Sequence, residues 1–205
     1  MIYISDLQYF PSIDYIITLY KQENVTFYSS LPFRKSTFRN RLVLPGANGL
    51  INLSIPIKGG RSVKTAYSNV EIDYKVDWQK SHLRSIASIY GNAPYFEYYK
   101  SDLEHLYKCR EVNLFKWNLK CFDFFMSRSK LSKMMDFGVL YDNFKEGDLI
   151  RELGDDFSGS LPLPMYPQVF SDKIGFQSNV SSLDLLMNLG PESASYIQEA
   201  SNKLH

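Results

Sequence analysis

Residues 2–28, IYISDLQYFPSIDYIITLYKQENVTFY, decide the fold class. Residues 2–8 read as a short strand. Pro11 and Ser12 then open a helix, since proline's fixed φ suits a first helical turn. Ile13, Ile16, Ile17 and Tyr20 recur at the i, i+3, i+4, i+7 spacing of one buried helical face. A second strand follows at Val25–Tyr28. Strand, helix and strand in so short a stretch form a βαβ unit, which implies parallel strands and an α/β fold.

The next segment, FRKSTFRNRLVL, leads into the turn cluster Pro45-Gly46-Ala47-Asn48-Gly49 and then LINLSIPI. Ile51, Leu53, Ile55 and Ile57 alternate with polar positions, so this pair reads as a hairpin with one buried face. Val70–Ile72 fits a further short strand. From Asp77 to Ser127 the period becomes helical. Asp77 caps a helix running through Tyr90, and Gly91 ends it. Pro94 starts a second helix that buries Phe96, Tyr99, Leu103 and Leu106. A third presents Leu114, Trp117, Cys121, Phe124 and Phe125. Residues 128–165 are rich in Ser, Gly, Asp and Pro, and read as long loops with one strand near Gly138–Tyr141. A closing helix spans Ser182–Leu189, with Ser181 and Asp184 at capping-box spacing and Gly190-Pro191 as its stop. The expected architecture is α/β: a mixed sheet with an N-terminal βαβ unit and hairpin, packed against a layer of three or more helices. It occupies one domain over residues 1–205, with 128–165 as a loop-rich insertion.

Composition bounds the function classes. A 205-residue chain that is 44% hydrophobic can bury a sizeable core without a metal or disulfide staple. The formal charge of +1 excludes a general nucleic-acid coat, so any anion site must be local. Fifteen tyrosines and 14 phenylalanines serve either core packing or a cleft lined with rings. Cys109 and Cys121 form no Cys-x-x-Cys pair and read as free thiols of a reducing compartment. No basic leader precedes an apolar stretch, and no apolar run is long enough for a membrane span. The cytoplasm is therefore the expected location.

Four cations fall between Arg34 and Arg41 of a nearly neutral chain. Were that segment extended, Lys35, Thr37, Arg39 and Arg41 would share one face, and the guanidinium groups would grip phosphate or carboxylate bidentately. The plainer alternative is a charged edge strand that resists aggregation. His82 lies one turn after Trp78 and suits either a general base or a packed structural histidine. Asp6 ends the first strand, where carboxyl ends of parallel strands face the ligand crevice; it binds a ligand there or caps the following helix. Dinucleotide, phosphate-loop and nucleophile-elbow fingerprints are all missing, and no His-x-x-x-His pair suggests zinc. No metal site is expected, and the cofactor is left unassigned.

Four segments carry a family resemblance. They are Gln8-Tyr9-Phe10-Pro11 with Tyr15; Ser36-Thr37-Phe38-Arg39-Asn40-Arg41; Trp78 through His82 and Tyr90 to Pro94-Tyr95-Phe96-Glu97-Tyr98-Tyr99; and Tyr166-Pro167-Gln168-Val169-Phe170 followed by Asn179, Ser181, Asp184-Leu185-Leu186 and Asn188-Leu189-Gly190-Pro191-Glu192. In order and kind they resemble the WbqC-like family of bacterial proteins. The resemblance implies a role in surface-polysaccharide (O-antigen) biosynthesis, as a transferase acting on a nucleotide-linked sugar or another anionic substrate. The alternative is a non-catalytic binding or scaffold protein of a polysaccharide-assembly complex. Many members open with His-Gln-Pro, where this chain has Ser5-Asp6-Leu7. The expected roles are proton transfer by His82 or Asp6, and substrate binding by Tyr9, Lys35, Arg39, Asn40, Arg41, Asp184 and Asn188. The last two stand one helical turn apart, so they face the same way. Tyr9, the arginine segment and Asp184 are expected to converge on one cleft, with Asp184 able to pair with an arginine.

Overall fold

A computed structural model of the chain describes residues 2–22, 25–30, 32–34, 36–59, 65–131, 137–140, 150–152 and 162–203. The βαβ unit forms as expected: β1 (Ile2–Ser5), α1 (Ile13–Tyr20) and β2 (Val25–Tyr28), with β1 and β2 parallel and Tyr3 opposite Val25. Ile13, Tyr15, Ile16, Ile17 and Leu19 are all fully buried. An eight-residue helix apolar around most of its circumference needs neighbours on several sides, and α1 is enclosed by two later helices, α6 and α7.

β3 (Arg41–Gly46) and β4 (Gly49–Ser54) make the antiparallel hairpin, with Ala47 and Asn48 in the turn. The strands divide between two sheets. β5 (Phe137–Leu140) and β6 (Ile150–Glu152) join the βαβ strands in an all-parallel sheet of order β5-β2-β1-β6, and the hairpin stands by itself. The loop-rich stretch thus supplies two strands where one was expected. Its residues 132–136, 141–149 and 153–161 lie outside the described residues. The expected alternation holds at Leu53, Ile55 and Ile57 but not at Ile51, which is exposed beside the turn. Val70–Ile72 is a tie and not a strand, since Ile72 bridges Ile57 and Glu71 bridges Asn113.

The helical layer comprises α2 (Trp78–Tyr90), α3 (Phe96–Lys108) and α4 (Leu114–Arg128). Asp77 accepts the Lys80 amide at the start of α2, and Asn113 accepts the Lys116 amide at the start of α4. Each side chain thereby satisfies a helical N–H that has no partner within its own helix. α3 buries Tyr107, with Leu106 only partly covered. α4 is the core helix. Its Phe122 meets Phe27 of β2 edge-on at 4.9 Å, Phe124 meets Phe10, and Trp117 meets Trp78 of α2 at 5.4 Å. Burying such side chains stabilises by about 1.5–3 kcal/mol each.

After a single-turn helix, α5 (Ser171–Ile174), come α6 (Ser182–Leu189) and α7 (Ser193–Lys203). The expectation that α6 closes the chain is corrected here. Gly190 has φ 55, and a Cβ there would sit 2.4 Å from the Tyr95 ring, so only glycine allows this redirection. Beyond it, α7 buries Ala194, Ile197 and Ala200 and packs on α1. Ser12 pairs with Ser181 in an antiparallel bridge, and Ser182 N–H donates to the Pro11 carbonyl at 2.7 Å. No helix among the described residues is long and apolar enough to cross a membrane.

Candidate functional site

Three buried polar clusters hold most of the expected site residues. The first lies just past the carboxyl ends of β1 and β2. Residues 36–40 turn where extended backbone was expected, with Ser36 at φ 64. The alternation meant to align Lys35, Thr37, Arg39 and Arg41 therefore does not form, and the strand begins at Arg41. Arg39 instead turns inward. Its Nε donates to Asp6 Oδ2 at 2.6 Å, both side chains being 3% exposed, and Nη1 donates to the Pro32 carbonyl at 2.5 Å. Its guanidinium lies 5.6 Å from the Tyr67 ring. Asn118 of α4 donates to the Arg39 carbonyl at 2.6 Å. Arg39 is thus occupied with holding a loop, and Asp6 is its counter-ion. Asn40 is buried as well, accepting the Ser36 amide and donating to the Ile55 carbonyl. Lys35 lies outside the described residues.

The second cluster is centred on Tyr9 and His82. The Tyr9 amide donates to the Phe38 carbonyl, which fixes its place beside the Arg39 turn. The Tyr9 hydroxyl meets His82 Nδ1 at 3.0 Å and hydrogen-bonds the Tyr107 hydroxyl on its other side. Trp78 and Trp117 wall this chain off from solvent; Trp78 lies 5.1 Å from the His82 ring and Trp117 lies 5.5 Å from Tyr107. Burial pushes both tyrosine hydroxyls well above their ordinary pKa. The same burial lowers His82 to about 4, against a backbone hydrogen bond offered at Ser54 that favours the protonated ring. The imidazole is therefore neutral across the physiological range.

His82 also borders a cavity of about 310 Å³ between the end of β4 and the start of α2, lined by Ser54, Pro56, Val76, Asp77, Trp78 and Ser81 as well. Two donors near it are unspent. Trp78 Nε1 is buried and makes no hydrogen bond, and neither does Arg41 Nε. Arg41 is half-buried and sits directly across the hairpin from Ser54, on the same face of the ribbon.

The third cluster surrounds Asp184 of α6. Ser181 caps that helix by accepting the Leu183 amide, which leaves the Asp184 carboxylate for tertiary bonds. It accepts hydrogen bonds from Tyr90 at 2.8 Å, Tyr166 at 2.5 Å, Gln168 at 2.8 Å and Asn188 at 3.2 Å. Burial raises its pKa against these four donors. The pairing with an arginine that the sequence suggested is replaced by this neutral donor set. The expected residues therefore meet in pairs: Asp6 with Arg39, Tyr9 with His82, and Asp184 with Asn188.

Tyr107, Ser54 and Ser81 escaped the sequence reading. Tyr107 carries no local signal, since its spacing in α3 marks it only as a core position. Among the described residues, no group of three His, Cys, Asp or Glu side chains is placed to hold a metal ion.

The model of the WbqC-like protein family matches residues 7–145. The chain belongs to the WbqC-like family. The match takes in the Arg39 turn, the His82–Tyr9–Tyr107 chain and the cavity beside it; Asp184 and its neighbours at 166–192 fall beyond it. No curated protein and no solved structure matches the chain.

Proposed function

We propose that this WbqC-like protein is a cytoplasmic transferase of bacterial surface-polysaccharide (O-antigen) biosynthesis, acting on a nucleotide-linked sugar or a similar anionic substrate at the His82 cavity. One observation carries the reading: a neutral, buried imidazole lines an open cavity and is backed by a chain of two tyrosine hydroxyls. With the ring proton on Nδ1, Tyr9 accepts it and passes its own hydrogen to Tyr107. Nε2 then takes a proton from an acceptor hydroxyl or amine brought to the Ser54 edge of the cavity, and the Ser54 backbone accepts a hydrogen bond from the resulting imidazolium. The Arg41 guanidinium, carried opposite Ser54 across the hairpin, supplies the anion contact at the edge of the cavity. Asp6, Arg39 and Asn40 act here as positioning residues, because their polar groups shape the turn that presents Arg41 and holds Tyr9. Asp184 and Asn188 brace α6 behind Tyr90 in the same sense.

A thermal-shift screen with sugar nucleotides and acyl donors tests the reading. A sugar nucleotide should raise the melting temperature of the wild type and of His82→Gln, while Arg41→Met loses the shift. Turnover should be lost in His82→Gln alone of the two binding-competent proteins. No shift with any anionic ligand overturns the proposal in favour of the non-catalytic scaffold.

A further inference from the structure

α2 and α3 are joined by five residues, 91–95, which sets them antiparallel. Between them runs a groove unrelated to the His82 cavity, with a volume of about 370 Å³. Its floor is apolar: Leu83, Ile86, Ala87, Phe96 and Leu103. Its rims are cationic. Lys80 and Arg84 stand one turn apart on α2, while Lys100 and Lys108 stand on α3 with Glu104 between them. Four cations against one anion on a chain of net charge +1 is a local excess with no counterpart in the composition.

These charges are not spent within the fold. Among the described residues the side chains of Lys80, Arg84 and Lys108 make no hydrogen bond or ion pair, and Lys100 alone has a partner, Glu97 at 3.4 Å. The charges are also distributed unevenly along the groove. Antiparallel packing brings Lys80, near the start of α2, beside Lys108 at the end of α3, while Ala87 and Phe96 lie toward the connecting turn. One end carries two cations with no partner among the described residues; at the other, Lys100, already paired with Glu97, lies over the Phe96 ring. Leu83 and Ala87 are not fully covered, so the floor is open to a ligand from outside.

We infer that this groove binds a single-chain anionic amphiphile, with its alkyl tail against Leu83, Ala87 and Phe96 and its phosphate or carboxylate between Lys80 and Lys108. The volume of about 370 Å³ lies at the small end of ligand sites, room for one slender chain. Charge complementarity selects an anion over a cation or a neutral chain. The apolar floor lies between two helices and is reached from outside at Leu83 and Ala87, as suits one monomeric chain laid along it.

Titration calorimetry with dodecyl phosphate below its micelle concentration tests this directly. Saturable binding at one site per chain is expected, with none for inorganic phosphate and at least about tenfold weaker binding of a dodecyl trimethylammonium ion. Lys80→Glu with Lys108→Glu should weaken binding about tenfold, and Ala87→Phe should do the same by filling the groove. All three positions are exposed, so circular dichroism should be unchanged. Equal affinity for both amphiphiles, or wild-type binding in both variants, overturns the inference. So does binding only to anionic vesicles, or a dimer in solution that Ala87→Phe dissolves.

Discussion

Replacing His82 with glutamine should remove a pH-dependent liability from the fold. An unperturbed histidine titrates near 6.5, and burial beside Trp78 and Tyr9 holds this one at about 4. The depressed value means that the unfolded chain binds a proton between pH 6.5 and 4 that the folded chain refuses. Above pH 6.5 His82 adds no penalty; as pH falls through that window, stability drops, and the loss is complete below pH 4. A displacement of about 2.5 units at 1.36 kcal/mol per unit amounts to about 3 kcal/mol, or about 1.4 kcal/mol for each pH unit crossed. Carboxylates titrate in the same range, so the measurement must be a difference. Urea unfolding of wild type and His82→Gln near pH 7 and near pH 4.5 should show the wild type losing about 2–3 kcal/mol more than the variant. Parallel losses in the two proteins, or an imidazole that titrates near 6.5 by NMR, would refute the burial argument and the general-base reading built on it.

Arg39→Met should cost about 3–5 kcal/mol, because it removes the buried guanidinium that pairs with Asp6 and binds the Pro32 carbonyl. In a chain of this length that lowers the melting temperature by about 6–20 °C, and a change below about 2 °C would show that the pair is dispensable. Asp184→Ala strands the buried Tyr90 and Tyr166 hydroxyls, while Gln168 and Asn188 each keep another acceptor, and should cost about 3 kcal/mol by urea unfolding, with faster amide exchange across α6. A cost under about 1 kcal/mol would show that water reaches those donors.

The parts of the fold legible in the sequence are those governed by local rules. The spacing of Ile13, Ile16 and Ile17, the Asp77 cap and the Pro45–Gly49 turn are each fixed by residues within one element, and all are found in the structure. Three features escaped because their causes are remote in sequence. Arg39 reads as a surface cation until Asp6, 33 positions earlier, is seen to meet it in the interior. Asp184 has capping-box spacing, yet its oxygens are taken by Tyr90 and Tyr166, which no local pattern connects to it. α7 follows a Gly-Pro stop that normally ends a helical run. At the candidate site, His82 and Tyr9 were identifiable as residues, but the hydroxyl of Tyr107 that extends their pair into a chain was not, since a buried tyrosine and a buried phenylalanine share one hydrophobic pattern.

The bridge between Ser12 and Ser181 bears on how the protein is made. The Phe10 carbonyl waits for the Ser181 hydroxyl, 171 positions downstream, and Ile13 N–H waits for the carbonyl of Val180. During synthesis the first βαβ unit therefore leaves the ribosome with its entrance to α1 unpaired and with Ile13, Ile16 and Ile17 uncovered until α6 and α7 have been translated. Closing so long a loop is entropically slow. The apolar residues of α1 therefore meet the helices that enclose them only once α6 and α7 have been made, so a chain stopped short of Ser181 leaves that segment without its cover.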